Sequence, residues 1–247
     1  MSPNPLSVQL YTVRDALAAN PEAALERLAA IGFTTVELFG FVDRADHYAE
    51  LLPRFGLTPS SAHANLLDKD LVPIFEAARK IGITTVIDPS IQPPTWADSD
   101  AVVLAANQLN EIAKVAADLG ITVGYHNHWW EFRELDGTTA LEAFADNLDP
   151  EVVLEVDTYW AQVGGVDAAQ LLGRLGDRVR FIHVKDGDIS EDNKAQVAVG
   201  SGRMPVLDVL AAAPQAVRVV ELDDFEGDVF DALADSVAYL TANGESL

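Results

Sequence analysis

Residues 78–89 read ARKIGITTVIDP. The opening residues end an apolar-periodic helix. The glycine suits the position just past a helix C-terminus, where a left-handed backbone is needed. The remainder is rich in the β-branched residues that favour strands. The same phrase recurs as RLAAIGFTTVEL at 27–38, LLPRFGLTPSSAH at 51–63 and VAADLGITVGYH at 115–126. A helix followed closely by a strand, repeated in this way, is the pattern of βα units around a parallel sheet.

Extending the pattern predicts strands at Ser7–Tyr11, Thr34–Leu38, Thr58–Ala62, Thr84–Asp88, Thr122–His126, Val152–Asp157, Val179–His183 and Val217–Glu221. Helical periodicity follows each one, near 21–31, 45–54, 70–80, 101–119, 139–147, 168–175, 204–213 and 228–243. The longest, AVVLAANQLNEIAKVAADL at 101–119, carries apolar residues at 3- and 4-residue steps, with Asp98 or Ser99 as its cap. Eight such units predict an α/β protein, a single (β/α)8 TIM barrel spanning 1–247 as one domain. A doubly wound open sheet would need a glycine-rich phosphate turn after its first strand. Tyr11-Thr12-Val13-Arg14 stands there instead. The long βα loops are expected at 89–100 and 184–203, both after strand C-termini.

Composition narrows the function. The chain has 16 Lys+Arg against 39 Asp+Glu, a formal charge of −23, so its surface repels nucleic-acid phosphates and anionic membranes. The absence of cysteine excludes disulfides and thiolate metal sites. The N-terminus MSPNPLSVQLYTVRD has no basic region followed by an apolar run, and no apolar segment approaches the roughly 18 residues of a membrane span. A cytoplasmic protein with neither nucleic acid nor membrane as partner is the expectation.

The strand ends carry the chemistry. Strand 5 runs into YHNHWWEF (125–132), strand 6 into LEVDTYW (154–160), strand 7 into FIHVKD (181–186) and strand 8 into VELDD (220–224). Glu131, Asp157, His183 and Glu221 would converge at one mouth as three oxygens and one nitrogen. Such a set suits one divalent metal ion: manganese, magnesium or cobalt, with zinc also admitted. Three packed carboxylates would otherwise repel and be driven toward protonation. On strand 5, His126 and His128 are alternative ligands to Glu131.

These four segments, in this order and spacing, resemble the sugar phosphate isomerase/epimerase family of the xylose isomerase-like TIM barrel superfamily. The resemblance runs from SVQLYTVRD to VVELDD. It implies a metal-dependent isomerase or epimerase acting on a small-molecule sugar or polyol. Proton abstraction next to a carbonyl would pass through an enediolate, with Glu131 and Glu221 as the paired acid/base groups. It also implies related lyase chemistry as an alternative, inosose dehydration or cleavage of C-glycosides and 3-keto-glycosides. A non-catalytic sugar-binding barrel and an endonuclease are further readings; the acidic surface and five histidines disfavour the latter. Many members are dimers or tetramers, so a homo-oligomer is compatible. Where the family usually reads HNHDFEF, this chain has Trp129-Trp130, a more apolar substrate wall.

Other residues fall near the same mouth. His128 and Lys185 are expected as acid/base or hydroxyl-contact groups. His63, His126, Trp96, Trp129, Tyr11, Gln9 and Glu37 are expected to contact substrate, and Arg203 to hold an anionic group from a flexible loop.

Overall fold

In a computed structural model describing residues 5–247, eight parallel strands close into a barrel. The first four residues of the N-terminal stretch read above for a leader lie outside the described residues. The strands are β1 (Ser7–Gln9), β2 (Thr35–Phe39), β3 (Thr58–His63), β4 (Thr85–Asp88), β5 (Thr122–His126), β6 (Val153–Asp157), β7 (Val179–Val184) and β8 (Val217–Val220), with β8 pairing β1 to close the ring. The principal outer helices are α1 (Pro21–Ile31), α2 (Ala45–Arg54), α3 (Leu71–Ile81), α4 (Ser99–Ala117), α5 (Ala140–Asn147), α6 (Ala168–Leu175), α7 (Val206–Ala212) and α8 (Val229–Ala242). Short extra helices cover Arg14–Ala19 and Thr158–Val163. The (β/α)8 expectation therefore holds, and no helix is long and apolar enough to cross a membrane.

Local chemistry explains these boundaries. The Asp98 side chain accepts from the Ala101 amide and starts α4. Val102, Ala105, Ala106, Leu109, Ala113 and Ala116 then form its buried stripe, and the four alanines let the helix lie close to the strands. Gly82 ends α3 at φ 89°, where the amides of Gly82 and Ile83 both reach the Ala78 carbonyl. Only glycine takes that conformation at no cost, and Ile83 then turns into β4.

Strand alternation sorts the barrel interior into layers. Ile87, Phe181 and Val219 fill the lower part, flanked by Val153 and Val217. Burying each such side chain contributes roughly 1.5–3 kcal/mol. Seven strands also carry a polar inward position at or near their C-terminal ends: Gln9, Glu37, His63, His126, Glu155, His183 and, beyond β8, Glu221. Register sets His126 beside Glu155 on the neighbouring strand, and side-chain contacts tie His63 to Glu155 and His183 to Glu37 and Glu221.

Two expectations change. The first strand stops at Gln9 rather than Tyr11, because the Gln9 side chain accepts from the Tyr11 amide and bends Leu10–Val13 into a 3-10 turn. The segment 184–203, expected as a flexible loop, is pinned. Asp186, 1% exposed, accepts from the amides of Gly187, Gly200, Gly202 and Met204. A short antiparallel ladder also joins Asp186–Gly187 to Gln196–Val197.

That pinning yields a stability prediction. Gly200 has φ +90°, and a Cβ there would overlap the Tyr239 ring of α8. Gly200→Ala should cost about 2–4 kcal/mol from positive φ plus overpacking, read by thermal denaturation. Gly173→Ala, inside α6 with nothing near its Cβ, should be neutral or stabilising by up to ~1 kcal/mol. Equal melting temperatures for the two variants would contradict the packing of this loop.

Candidate active site

The C-terminal mouth opens into a cavity of about 790 Å³ whose lining includes His63, His126, His128, Glu221 and Asp223. Below it lies a buried network. His183, 0% exposed, has Nδ1 2.7 Å from Glu221 Oε2 and Nε2 2.8 Å from Glu37 Oε1. His63 Nε2 lies 2.6 Å from Glu155 Oε2, and His126 Nδ1 lies 3.1 Å from the same oxygen. Donor atoms of Asp157, His183 and Glu221 all fall within 4.8 Å of one another, as do those of His63, His126, Glu155 and His183. His126 Nε2 is 3.9 Å from Asp157 Oδ2, so β5 to β8 each bring a donor to one place.

Lys185 supplies a fixed positive charge. Its ammonium, in a side chain 1% exposed, lies 2.9 Å from Asp157, 2.7 Å from Glu221 and 2.7 Å from Asp223. Burial disfavours the charged amine, but Asp157, Asp223 and Glu221 hold its pKa well above the usual range. Gln196 completes this corner: its Nε2 donates to Asp223 Oδ2 and its Oε1 accepts from the Asp223 amide, both at 2.7 Å.

The carboxylates and imidazoles set one another's charge. Burial and the Glu37 charge push Glu155 up, yet His183 and His63 bring it down to about 2. Burial pushes His63 down, but Glu37 and Glu155 raise it to about 10. Burial would raise Glu221, and Lys185 and His183 hold it far below the usual carboxylate range. Burial carries Asp157 above its ordinary value despite Lys185. Burial also drives His126 well below the ordinary imidazole range, aided by the His183 and His63 charges. A neutral imidazole is the form that ligates metals.

The residues present fit a divalent cation. Glu155 Oε1 is buried without a hydrogen-bond partner, and Asp157 Oδ2 has the Lys185 ammonium nearby but no hydrogen bond of good geometry. A buried carboxylate oxygen without a hydrogen bond is costly and calls for positive charge, which Lys185 supplies to Asp157 only in part because it is shared with Glu221 and Asp223.

The structure places the sequence-predicted residues unevenly. Asp157, His183 and Glu221 come together; Glu131 does not join them. Past His128 the chain enters the 3-10 turn Trp130–Phe132, which folds Glu131 behind the barrel wall. There its oxygens accept from Tyr125 Oη at 2.8 Å and the His128 amide at 3.0 Å. Of the two strand-5 alternatives, His126 brings Nε2 to 3.9 Å from Asp157 Oδ2, whereas His128 lines the cavity above. Trp96 is also corrected: it is 0% exposed, packs on Tyr125 and Phe144, and donates to the Ile91 carbonyl, so it belongs to the core. Arg203 is exposed and absent from the cavity lining. Gln9 and Glu37 are fully buried beneath the cavity, Gln9 donating to Glu37 at 2.8 Å. Tyr11, His63, His126, His128 and Trp129 do line it. Lys185 lies beneath it.

Glu155, Asp223, and Gln196 were missed. Glu155 was within reach, because it is two residues before Asp157 on one strand and must share its face. Gln196 had no such signal, since it enters through the pinned loop.

Comparison with known proteins completes the description. Residues 25–223 match the family described as Xylose isomerase-like TIM barrel. An inosose dehydratase from Halalkalibacterium halodurans is 31% identical over 96 residues, 38% of this chain and 31% of that protein. One from Geobacillus thermodenitrificans is 29% identical over 137 residues, 55% of this chain and 43% of that protein. The matches thus span less than half the length of these curated relatives. A sugar phosphate isomerase/epimerase crystal structure from Parabacteroides distasonis superposes with a TM-score of 0.81 at 25% identity, covering 99% of this chain and 96% of that one. The fold is shared also by the IOLI protein crystallised with a bound zinc atom, at TM-score 0.67 and 17% identity, covering 97% of this chain and 95% of that one.

Proposed function

Because the chain belongs to the xylose isomerase-like TIM barrel family, we propose that it is a divalent-metal-dependent enzyme that removes a proton from the carbon beside a sugar or polyol carbonyl. The observation carrying this reading is the meeting of Asp157, His183 and Glu221 within 4.8 Å, with His126 beside Asp157, at the base of the cavity. Those four would hold the cation. Two imidazoles and two carboxylates suit zinc, cobalt or manganese better than magnesium, which prefers an all-oxygen shell. When bound, the ion supplies Lewis-acid stabilisation of charge developing on the substrate oxygens.

The chain's own groups handle protons and position. Glu221 lines the cavity from the β8 end and is kept ionised by Lys185 and His183, so it can accept a proton from the substrate carbon. His128 lines the cavity just past β5, its ring stacked 4.2 Å from Trp130, and can return a proton from there, to the opposite face of the same carbon in an epimerase or to the neighbouring carbon in an isomerase. Glu131 fixes the backbone of His128 and so acts as a positioning residue. Asp157 also caps the helix Thr158–Val163 by accepting from the Trp160 amide, which holds its carboxylate in place.

A dehydratase reading has its own support. His63 faces the cavity as an imidazolium, its pKa raised to about 10 by Glu37 and Glu155 against the pull of burial. A general acid there could protonate a departing hydroxyl. The curated relatives that match are named inosose dehydratases. Both readings share the first step, so one experiment tests both. Protein loaded with Mn²⁺, Co²⁺ or Zn²⁺ should exchange carbon-bound hydrogen for deuterium from D₂O in at least one member of a panel of ketoses, inososes and 3-keto-glycosides. Glu221→Gln should slow that exchange by about 10²–10⁴-fold. Undiminished exchange in the variant removes Glu221 as the base. A failure of exchange across the panel, in a protein that takes up no metal, removes the proposal.

A further inference from the structure

Resting on the metal-dependent reading above, we infer that Glu37 and Glu155, both absent from the cavity lining, are the positioning residues of that site: Glu37 holds the Nε2 hydrogen of His183 and Glu155 the Nδ1 hydrogen of His126, so that each ring turns its other nitrogen to the cation. Strand register prepares both contacts. Gln9, Glu37 and Ser61 stand in line on β1, β2 and β3, and His126 stands beside Glu155 on β5 and β6. Across the barrel interior, Glu37 Oε1 lies 2.8 Å from His183 Nε2. The opposite nitrogen of that ring, Nδ1, is 2.7 Å from Glu221 Oε2 and 3.9 Å from Asp157 Oδ2. Glu155 Oε2 lies 3.1 Å from His126 Nδ1, and His126 Nε2 is the nitrogen near Asp157. Each ring thus sets one nitrogen against a carboxylate beneath the cavity and the other in the candidate donor group.

A backbone group fixes the direction of these bonds. The Tyr11 amide donates to Gln9 Oε1 at 3.1 Å, which commits the Gln9 Nε2 group to Glu37 Oε1, 2.8 Å away. The Ser61 hydroxyl donates to Glu37 Oε2. Glu37 is therefore the acceptor, and His183 Nε2 carries the hydrogen between them. A neutral ring with its hydrogen at Nε2 offers its lone pair at Nδ1 alone, on the side of Asp157 and Glu221. His183 Nε2 also lies 3.2 Å from Glu155 Oε2, but the shorter contact belongs to Glu37. His63 Nε2, 2.6 Å from Glu155 Oε2 and 3.2 Å from Glu37 Oε1, bridges the two carboxylates and keeps them apart from each other's ring. A ligating imidazole held by a carboxylate through its other nitrogen is fixed in tautomer and orientation and made more basic. Gln9 and Glu37, expected from the sequence to contact substrate, act in this way through His183.

The test is proton NMR of the Co²⁺-loaded protein. A ligating ring held in this way carries one N–H proton that the cobalt electron spin shifts strongly and that disappears in D₂O. Two such signals are expected, one from each ring. Glu37→Gln should displace or abolish one of them and spare the other, and Glu155→Gln should do the converse. Each variant should also weaken Co²⁺ and Zn²⁺ binding by about 10–100-fold. Gln9→Leu should perturb the same signal as Glu37→Gln by a smaller amount, and Glu155→Asp the same signal as Glu155→Gln. These two keep each arm readable should a Gln variant lose its native circular dichroism. Loaded protein without shifted exchangeable signals overturns the inference, as do signals untouched by the variants or the same signal lost in both arms. In each of those cases metal uptake persists and the functional reading stands. Absence of cobalt uptake by the unaltered protein removes the functional reading, and the inference with it.

Discussion

Asp157→Asn is expected to lower divalent-cation affinity by at least about 100-fold, beyond the 10–100-fold that loss of an outer-shell partner costs. The substitution keeps the side-chain oxygen that accepts from the Trp160 amide, so the helix Thr158–Val163 retains its cap. What it removes is the negative charge between His126, His183 and Lys185. Titration with Mn²⁺, Co²⁺ and Zn²⁺, with metal content of the purified protein, gives the readout. Glu131→Gln is the companion variant. Its carboxylate sits against Tyr125 and the His128 amide rather than in the cluster, so metal affinity should stay within about threefold of the unaltered protein. Unchanged affinity in Asp157→Asn, or its collapse in Glu131→Gln, would reverse the assignment of donors.

The second large effect concerns folding. Trp96→Ala should destabilise the protein by about 3–5 kcal/mol, the range for deleting a buried aromatic side chain. For a chain of this size that lowers the melting temperature by roughly 6–20 °C. Trp96 packs at 5.6 Å from the Tyr125 ring and 5.3 Å from that of Phe144, tying the turn after β4 to the outer face of β5 and to α5. It is absent from the cavity lining. Metal affinity of the folded variant should therefore match that of the unaltered protein. A change below about 1 kcal/mol, or selective loss of metal without loss of stability, would return Trp96 to the ligand site.

The fold was legible because its grammar is local. Gly32, Gly56, Gly82 and Gly120 each end a helix and start a strand, and the repeat of that phrase is enough to imply eight βα units. Strand alternation also placed His183 and Glu221 on the inner face. It would have placed Glu155 there too, had the step from Asp157 been taken. What periodicity does not reach is the direction of a loop side chain. Glu131 sits one turn past β5, where the 3-10 geometry of Trp130–Phe132 decides its aim, and a partner on the outer face, Tyr125, captures it. Trp96 is hidden for the same reason: a loop tryptophan looks alike in sequence whether it walls a ligand or plugs a gap. The anchoring of 184–203 on Asp186 depends on four amides scattered over 18 positions, a pattern with no period to detect.

Lys185 gives the barrel mouth a tethered counter-ion. Its ammonium is shared among Asp157, Glu221 and Asp223 and offsets part of their charge, so an incoming ion would have to outbid an amine that cannot diffuse away. Monovalent ions have little to offer in that exchange, whereas a doubly charged one gains from the same oxygens twice over. In the proposed cation site, discrimination by valence would then rest on a covalent side chain rather than on the size of the hole.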